Sequence, residues 1–214
     1  MILLLACTTA IASDSWDIKP LLTSTTKLAW EIAVDATLQG ETHSATFDLI
    51  EAGREGDAAK GQPVHLEMTN IVVESNSMPG SGTDAIVDAQ NVVQSTTEDD
   101  INRRMFSPLL FIYPKGPVSV GDTWKTDFTP ASKGVPKIKF EFTAKQTDQV
   151  NGSDALQVTS TVKEEGDEGV SADGTWWVDR TGKVLKFKIT AKKWVVVPTG
   201  GQTMDATFTG KFKA

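Results

Sequence analysis

Along most of the chain, apolar and polar residues alternate one by one, the spacing of a strand with one buried and one wet face. Leu28, Trp30, Ile32, Val34, Ala36 and Leu38 make one such face, opposed by Lys27, Glu31, Asp35 and Thr37. Gln39-Gly40-Glu41 turns the chain, and His43, Ala45, Phe47 and Leu49 alternate out of the turn. A Gly-rich charged stretch at 53–61 leads to Val64, Leu66, Met68 and Val72. Residues 75–83 (SNSMPGSGT) read as a flexible loop and roughly 84–94 as a weaker strand. The second half repeats the pattern more clearly, with inward sets Ile138/Phe140/Phe142/Ala144, Leu156/Val158/Val162, Leu185/Phe187/Ile189 and Ala206/Phe208/Phe212.

The punctuation agrees with strands. Asn151-Gly152 supplies the positive φ values of a type I′ hairpin turn, and Asp179-Arg180-Thr181-Gly182 fits a type I turn with a Gly bulge. Trp194 falls out of phase with Leu185, Phe187 and Ile189, which predicts a bulge near residues 191–193. One helix is expected, over about 97–107: a Thr96-Thr97 cap precedes Glu98-Asp99-Asp100, whose carboxylates favour the positive end of a helix dipole, and Pro108 stops it. About ten strands in consecutive hairpins imply antiparallel pairing, and the lack of βα alternation argues against parallel nucleotide-binding folds. The expected fold is all-β, a large curved antiparallel sheet or incomplete β-barrel with one short helix near the middle. Residues 13–214 are read as a single domain.

Composition narrows the functional classes. The chain has 214 residues, six Trp, nine Phe, one Tyr, two His and one Cys. A single Cys excludes an internal disulfide framework, and no run approaches the roughly 20 apolar residues of a membrane-spanning helix. Residues 1–12 (MILLLACTTAIA) read as an export signal, either cleaved after Ala10-Ile11-Ala12 or carrying a lipobox in which Cys7 is acylated. The expected location is therefore outside the cytoplasm: periplasmic, extracellular, or membrane-anchored as a lipoprotein.

Candidate chemistry is sparse. Asp35, Asp48 and Glu141 alternate outward, and no inward-facing position of the clear strands is read as carrying a carboxylate, which argues against a catalytic carboxylate pair. His43 and His65 lie near no Gly-x-Ser-x-Gly elbow, and as a zinc pair they would need two more ligands, which would have to be carboxylates. Glu164–Glu168 holds four carboxylates in five residues but lacks the register of a calcium loop. No catalytic residue, metal or cofactor is expected.

Charge is distributed unevenly within a net charge of −7: residues 1–119 carry seven Lys/Arg against 16 Asp/Glu, and residues 120–214 carry 14 against 12. Lys137, Lys139, Lys186, Lys188, Lys211 and Lys213 fall on outward positions, a candidate basic surface for an anionic partner or simply a soluble outer face. Nucleic acid is not expected, because aromatics are not interleaved with these lysines. Of the adjacent Trp176 and Trp177, one must face outward, either as a binding residue or covered by the helical segment 98–113.

The second half resembles a loose pattern in uncharacterised bacterial secreted proteins and lipoproteins: Gly121-Asp122-Thr123-Trp124, then Val150-Asn151-Gly152, then Asp179-Arg180-Thr181-Gly182-Lys183-Val184 after an aromatic-rich strand. The architecture is similar to the curved half-barrels of LolA-type lipoprotein carriers, which hold an acyl chain in the concave face, and that likeness implies an architecture and a compartment rather than an activity. The functional expectation is a non-enzymatic exported envelope protein binding an apolar ligand or a protein partner. The alternative is a structural or assembly protein that self-associates through sheet edges or its lysine face.

Overall fold

The alternating stretches become long, strongly paired strands in a computed structural model that describes residues 14–56, 60–97, 100–129, 136–195 and 203–213. Cys7, the cleavage site after Ala12 and the acidic pair Glu98-Asp99 lie outside the described residues. The strands are β1 (Lys27–Leu38), β2 (Glu41–Gly53), β3 (Gln62–Val73), β4 (Asn76–Met78), β5 (Ser81–Val87) and β6 (Val93–Thr96), followed by α1 (Asp100–Phe106) and a 3₁₀ turn at Ser107–Leu109. Then come β7 (Thr123–Phe128), β8 (Ile138–Val150), β9 (Ser153–Glu164), β10 (Ser171–Asp179), β11 (Val184–Val195) and β12 (Thr203–Phe212).

All strands join one antiparallel sheet in the order β6-β5-β3-β2-β1-β12-β11-β10-β9-β8-β7, with β4 paired to β3. The sheet curls into a nearly closed barrel with one unsealed seam, between the end strands β6 and β7. The first and last long strands pair at its centre, from Trp30 opposite Phe212 to Thr37 opposite Asp205. Each half of the chain is thus a meander, and the β1–β12 ladder joins the two.

Turn chemistry sets the register as the side chains require. Asn151 and Gly152 have φ of 51° and 81°, as a type I′ turn demands. At the next hairpin Asp179 Oδ1 accepts from the Thr181 and Lys183 amides, and Gly182 takes φ 93°. The predicted bulge in β11 is present: the ladder to β12 shifts between Ala191 and Trp194, and Lys193 has φ 54°. That extra residue returns Trp194 to the inner face.

Three expectations are corrected. Residues 75–83 are not one loop, because Asn76–Met78 pairs with β3 and β5 starts at Ser81. The single strand over 84–94 is two, β5 and β6, separated by a turn around Asn91 (φ 71°). Pro108 does not end the helical segment; it sits in the first turn of the 3₁₀ helix, where its missing N–H costs no hydrogen bond.

Candidate functional site

The helical segment and the chain after it run inside the barrel rather than over it. Met105 to Pro114 are all buried. Irregular backbone in an apolar interior leaves carbonyls that must find donors, and the barrel wall supplies them. Trp194 Nε1 donates to the Met105 carbonyl at 2.9 Å, Trp124 Nε1 to Ile112 at 2.9 Å, Gln90 Nε2 to Tyr113 at 2.9 Å and Asn91 Nδ2 to Phe111 at 3.3 Å. Tyr113 returns its hydroxyl to the Gly182 carbonyl at 2.9 Å. The Phe111 ring meets Tyr113, Trp124, Phe142 and Trp176 edge-on, with centroids 5.0 to 6.2 Å apart. The segment is thus an internal plug. It also ties the two sides of the seam, through Gln90 and Asn91 before β6 and Trp124 on β7.

Space remains at one end of the barrel. β1 and β3 run toward this end and β2 and β5 start from it, so its rim carries the turns at 39–40 and 74–75. Here a pocket of about 400 Å³ is lined by Val34, Ala36, Ala45, Phe47, Ile71 and Trp194, with Met68, Met78, Met105 and Met204. The volume lies within the range of roughly 300–1,000 Å³ typical of small-molecule sites. The chain has five methionines, and all but Met1 line this pocket. Unbranched, polarisable thioethers adapt to irregular apolar partners. Met105 is fully buried at the floor, whereas Met78 is 46% exposed, one of two large apolar side chains left open to solvent among the described residues.

Polar groups are confined to the rim. His43 Nδ1 lies 2.7 Å from Glu74 Oε1, and Glu41 sits on the other side of the ring, 4.0 Å from Nε2. Asn76 and Ser81 are the other polar residues of the lining. A larger hollow of about 750 Å³ lies at the opposite end by the seam, but Asp17, Lys19, Asp88 and Lys115 among its walls mark a wet surface cleft. That end is closed by residues 14–22: Trp16 pairs with Val118 through two backbone hydrogen bonds, and Arg180 stacks 4.2 Å over its ring.

Two inward carboxylates escape the reading of the alternation given above. Glu51 continues the face of Phe47 and Leu49 and is 3% exposed; Glu164 continues that of Val158 and Val162. Following each period two residues further would have found both. Glu164 is compensated by a bidentate Arg104, at 3.0 and 2.9 Å from Nε, and by the Val170 amide at 2.9 Å. Glu51 is not: burial raises its pKa to about 7, an Asn91 hydrogen bond opposing the rise in part, and its Oε1 has no partner among the described residues. A small internal cavity of about 10 Å³ lies beside Glu51, Asn91 and Tyr113, room for one water at most. The two carboxylates belong to opposite ends of the barrel, so they flank no common cleft. No cluster of three metal-ligating side chains occurs among the described residues. His65 faces outward and pairs with Asp84 at 2.7 Å.

The outward lysines do not form one continuous stripe. Lys137 pairs with Asp127 at 2.7 Å, Lys139 with Glu165 at 3.0 Å and Lys213 with Asp48 at 2.7 Å. Lys186 lies opposite Lys211, with Lys188 two residues along β11, and Lys139 lies opposite Lys163. The tryptophans divide as the period of two requires. Trp176 is 1% exposed and donates to Ser160 at 2.8 Å, which removes it as an exposed binding residue. Trp177 faces outward, donates to Asp148 at 2.8 Å and lies 4.1 Å beneath Lys186. The plug packs against Trp176, not Trp177.

No protein-family model matches the chain, and no curated protein sequence matches it. Solved structures that align with the chain include a protein of Bacteroides fragilis described as exported, with a YmcC-like fold, at 8% identity and TM-score 0.33, covering 94% of this chain and 100% of that one. A protein of Parabacteroides distasonis described as a lipoprotein aligns at 11% identity and TM-score 0.36, over 92% and 100%. A DUF1329 family protein of Desulfovibrio piger aligns at 8% identity and TM-score 0.25, over 89% and 85%.

Proposed function

We propose that this chain is an exported, non-enzymatic envelope protein that takes a hydrocarbon chain into the methionine-lined pocket at the end of its barrel. One observation carries the reading: the interior is filled by the chain's own plug, yet an apolar pocket of about 400 Å³ stays open beside it. A core built only for stability closes such space, since unfilled volume costs stability. The small-x-small pattern at Ala10-Ile11-Ala12 and the lipobox-like Cys7 support export. Self-association through sheet edges is less supported, because the two end strands, β6 and β7, have only four and six residues.

The test is binding of the apolar fluorophore N-phenyl-1-naphthylamine. The wild type should enhance its emission saturably, and Ala45→Phe, which fills the pocket from β2, should weaken binding at least ten-fold while keeping the thermal transition. Absence of saturable binding, or equal binding by the variant, overturns the pocket assignment. Export is checked by the mass of the protein from its own cells, which should begin at Ser13 or carry an acylated Cys7. An intact chain from Met1 in the cytosol overturns it.

A further inference from the structure

The rim of the pocket carries information about the head of its occupant. The side chains lining it include no Lys or Arg; the charged groups at its mouth are Glu74, with Glu41 beyond His43. Glu74 stands where a turn would not choose it. Glu74 and Ser75 join β3 to β4 with φ of 47° and 75°, both left-handed. At the equivalent two-residue turn between β8 and β9 the chain uses Asn151-Gly152, the pair that adopts these angles at least cost. Placing Glu-Ser there instead retains backbone strain, and the turn hangs a carboxylate over the mouth. The Glu74 side chain is 57% exposed and engages His43 Nδ1 through Oε1 alone, so its second oxygen faces the mouth for a ligand.

Resting on the proposed pocket, we infer that its ligand is a single-chain amphiphile with a positively charged head: the tail lies among Met68, Met105 and Met204, and the alkylammonium group sits against Glu74. A carboxylate or sulfate head would meet like charge, and none of the described residues lining the pocket is a Lys or Arg that would offset it. An exposed charge pair of this kind contributes at most about 1 kcal/mol, so the discrimination expected is about five-fold.

The experiment compares three ligands with one twelve-carbon tail, each below its micelle threshold and at low salt: dodecyltrimethylammonium, dodecyl maltoside and dodecanoate. Displacement of the bound fluorophore should rank them in that order, with about five-fold between the first and the last. Glu74→Gln, and separately 0.5 M salt (about a 4 Å screening length), should collapse the difference while the maltoside is held unchanged. Dodecanoate binding as tightly as the ammonium, or an order that survives Glu74→Gln, overturns the inference and leaves the apolar pocket standing. Failure of all three to displace a fluorophore that does bind overturns both. A partner protein's apolar segment as the true occupant would show as displacement by a Leu-Met-rich peptide and by none of the amphiphiles.

Discussion

Glu51 is a carboxyl group placed where its charge is opposed by its surroundings. Its pKa of about 7, against an ordinary 4.5, means that between those values the folded chain holds a proton that the unfolded chain has released. The folded state then binds more protons, so stability falls as pH rises through that window and stays reduced above it, by about 3 kcal/mol in total. Glu51→Gln removes the titration and keeps the shape. The variant should match the wild type near pH 4.5 and exceed it by about 2–3 kcal/mol at pH 8, measured by urea denaturation at both. A difference that does not change with pH would refute the assignment. Asp48 works in the opposite sense: burial alone would raise its pKa, but hydrogen bonds from Lys213 and Asn70 hold it below the ordinary value, so its contribution is lost on acidification below about pH 4. Asp48 was legible as an outward residue. Glu51 was not, because the apolar alternation stops at Leu49 while the strand geometry runs on to Gly53.

At the level of elements, what is local was readable and what depends on distant partners was not. Asn151-Gly152, the Asp179 turn and the β11 bulge each follow from the residues that form them, since φ above zero and the period of two are local properties. β4 is three exposed residues and exists only because β3 offers an edge. The plug is the larger omission. Leu109 to Tyr113 has no strand or helix period, and its burial rests on indole and amide donors brought from positions 90, 91, 124 and 194. Those donors should be energetically visible. Trp124→Phe keeps most of the ring stacked on Phe142, at 5.6 Å, but leaves the Ile112 carbonyl unpartnered. A loss of about 1–3 kcal/mol is expected, together with faster amide exchange in residues 109–113. A variant as stable as the wild type would mean that water reaches that carbonyl and that the seam is open to solvent.

Over the whole molecule, the charge imbalance along the sequence becomes a feature of the closure. The acidic first half and the more basic second half meet at the β1–β12 ladder, where Glu31 lies opposite Lys211 and Lys213 reaches Asp48 at 2.7 Å. Trp30 reinforces the same junction in two ways: its ring meets that of Phe212 at 6.0 Å, and its Nε1 donates to the Val184 carbonyl at 2.9 Å, one strand beyond β12. Trp30 and Ile32 on β1 and Phe187 and Ile189 on β11 are all buried, and β12 is the strand that lies between them. The pairing spans nearly the full chain, a contact pattern that folds slowly. The pocket depends on it too, since its wall takes Val34 and Ala36 from β1 and Met204 from β12. A chain ending at Val195 should therefore keep strand signal but lose the single cooperative urea transition, expose apolar surface to dye and fail to bind N-phenyl-1-naphthylamine saturably. Adding residues 196–214 back as a peptide should restore the transition in proportion to its concentration, because the ladder then forms between two molecules. If the shortened chain instead unfolds at the wild-type midpoint with the wild-type slope, the two meanders are independently stable and β12 is an accessory to the barrel rather than the strand that closes it.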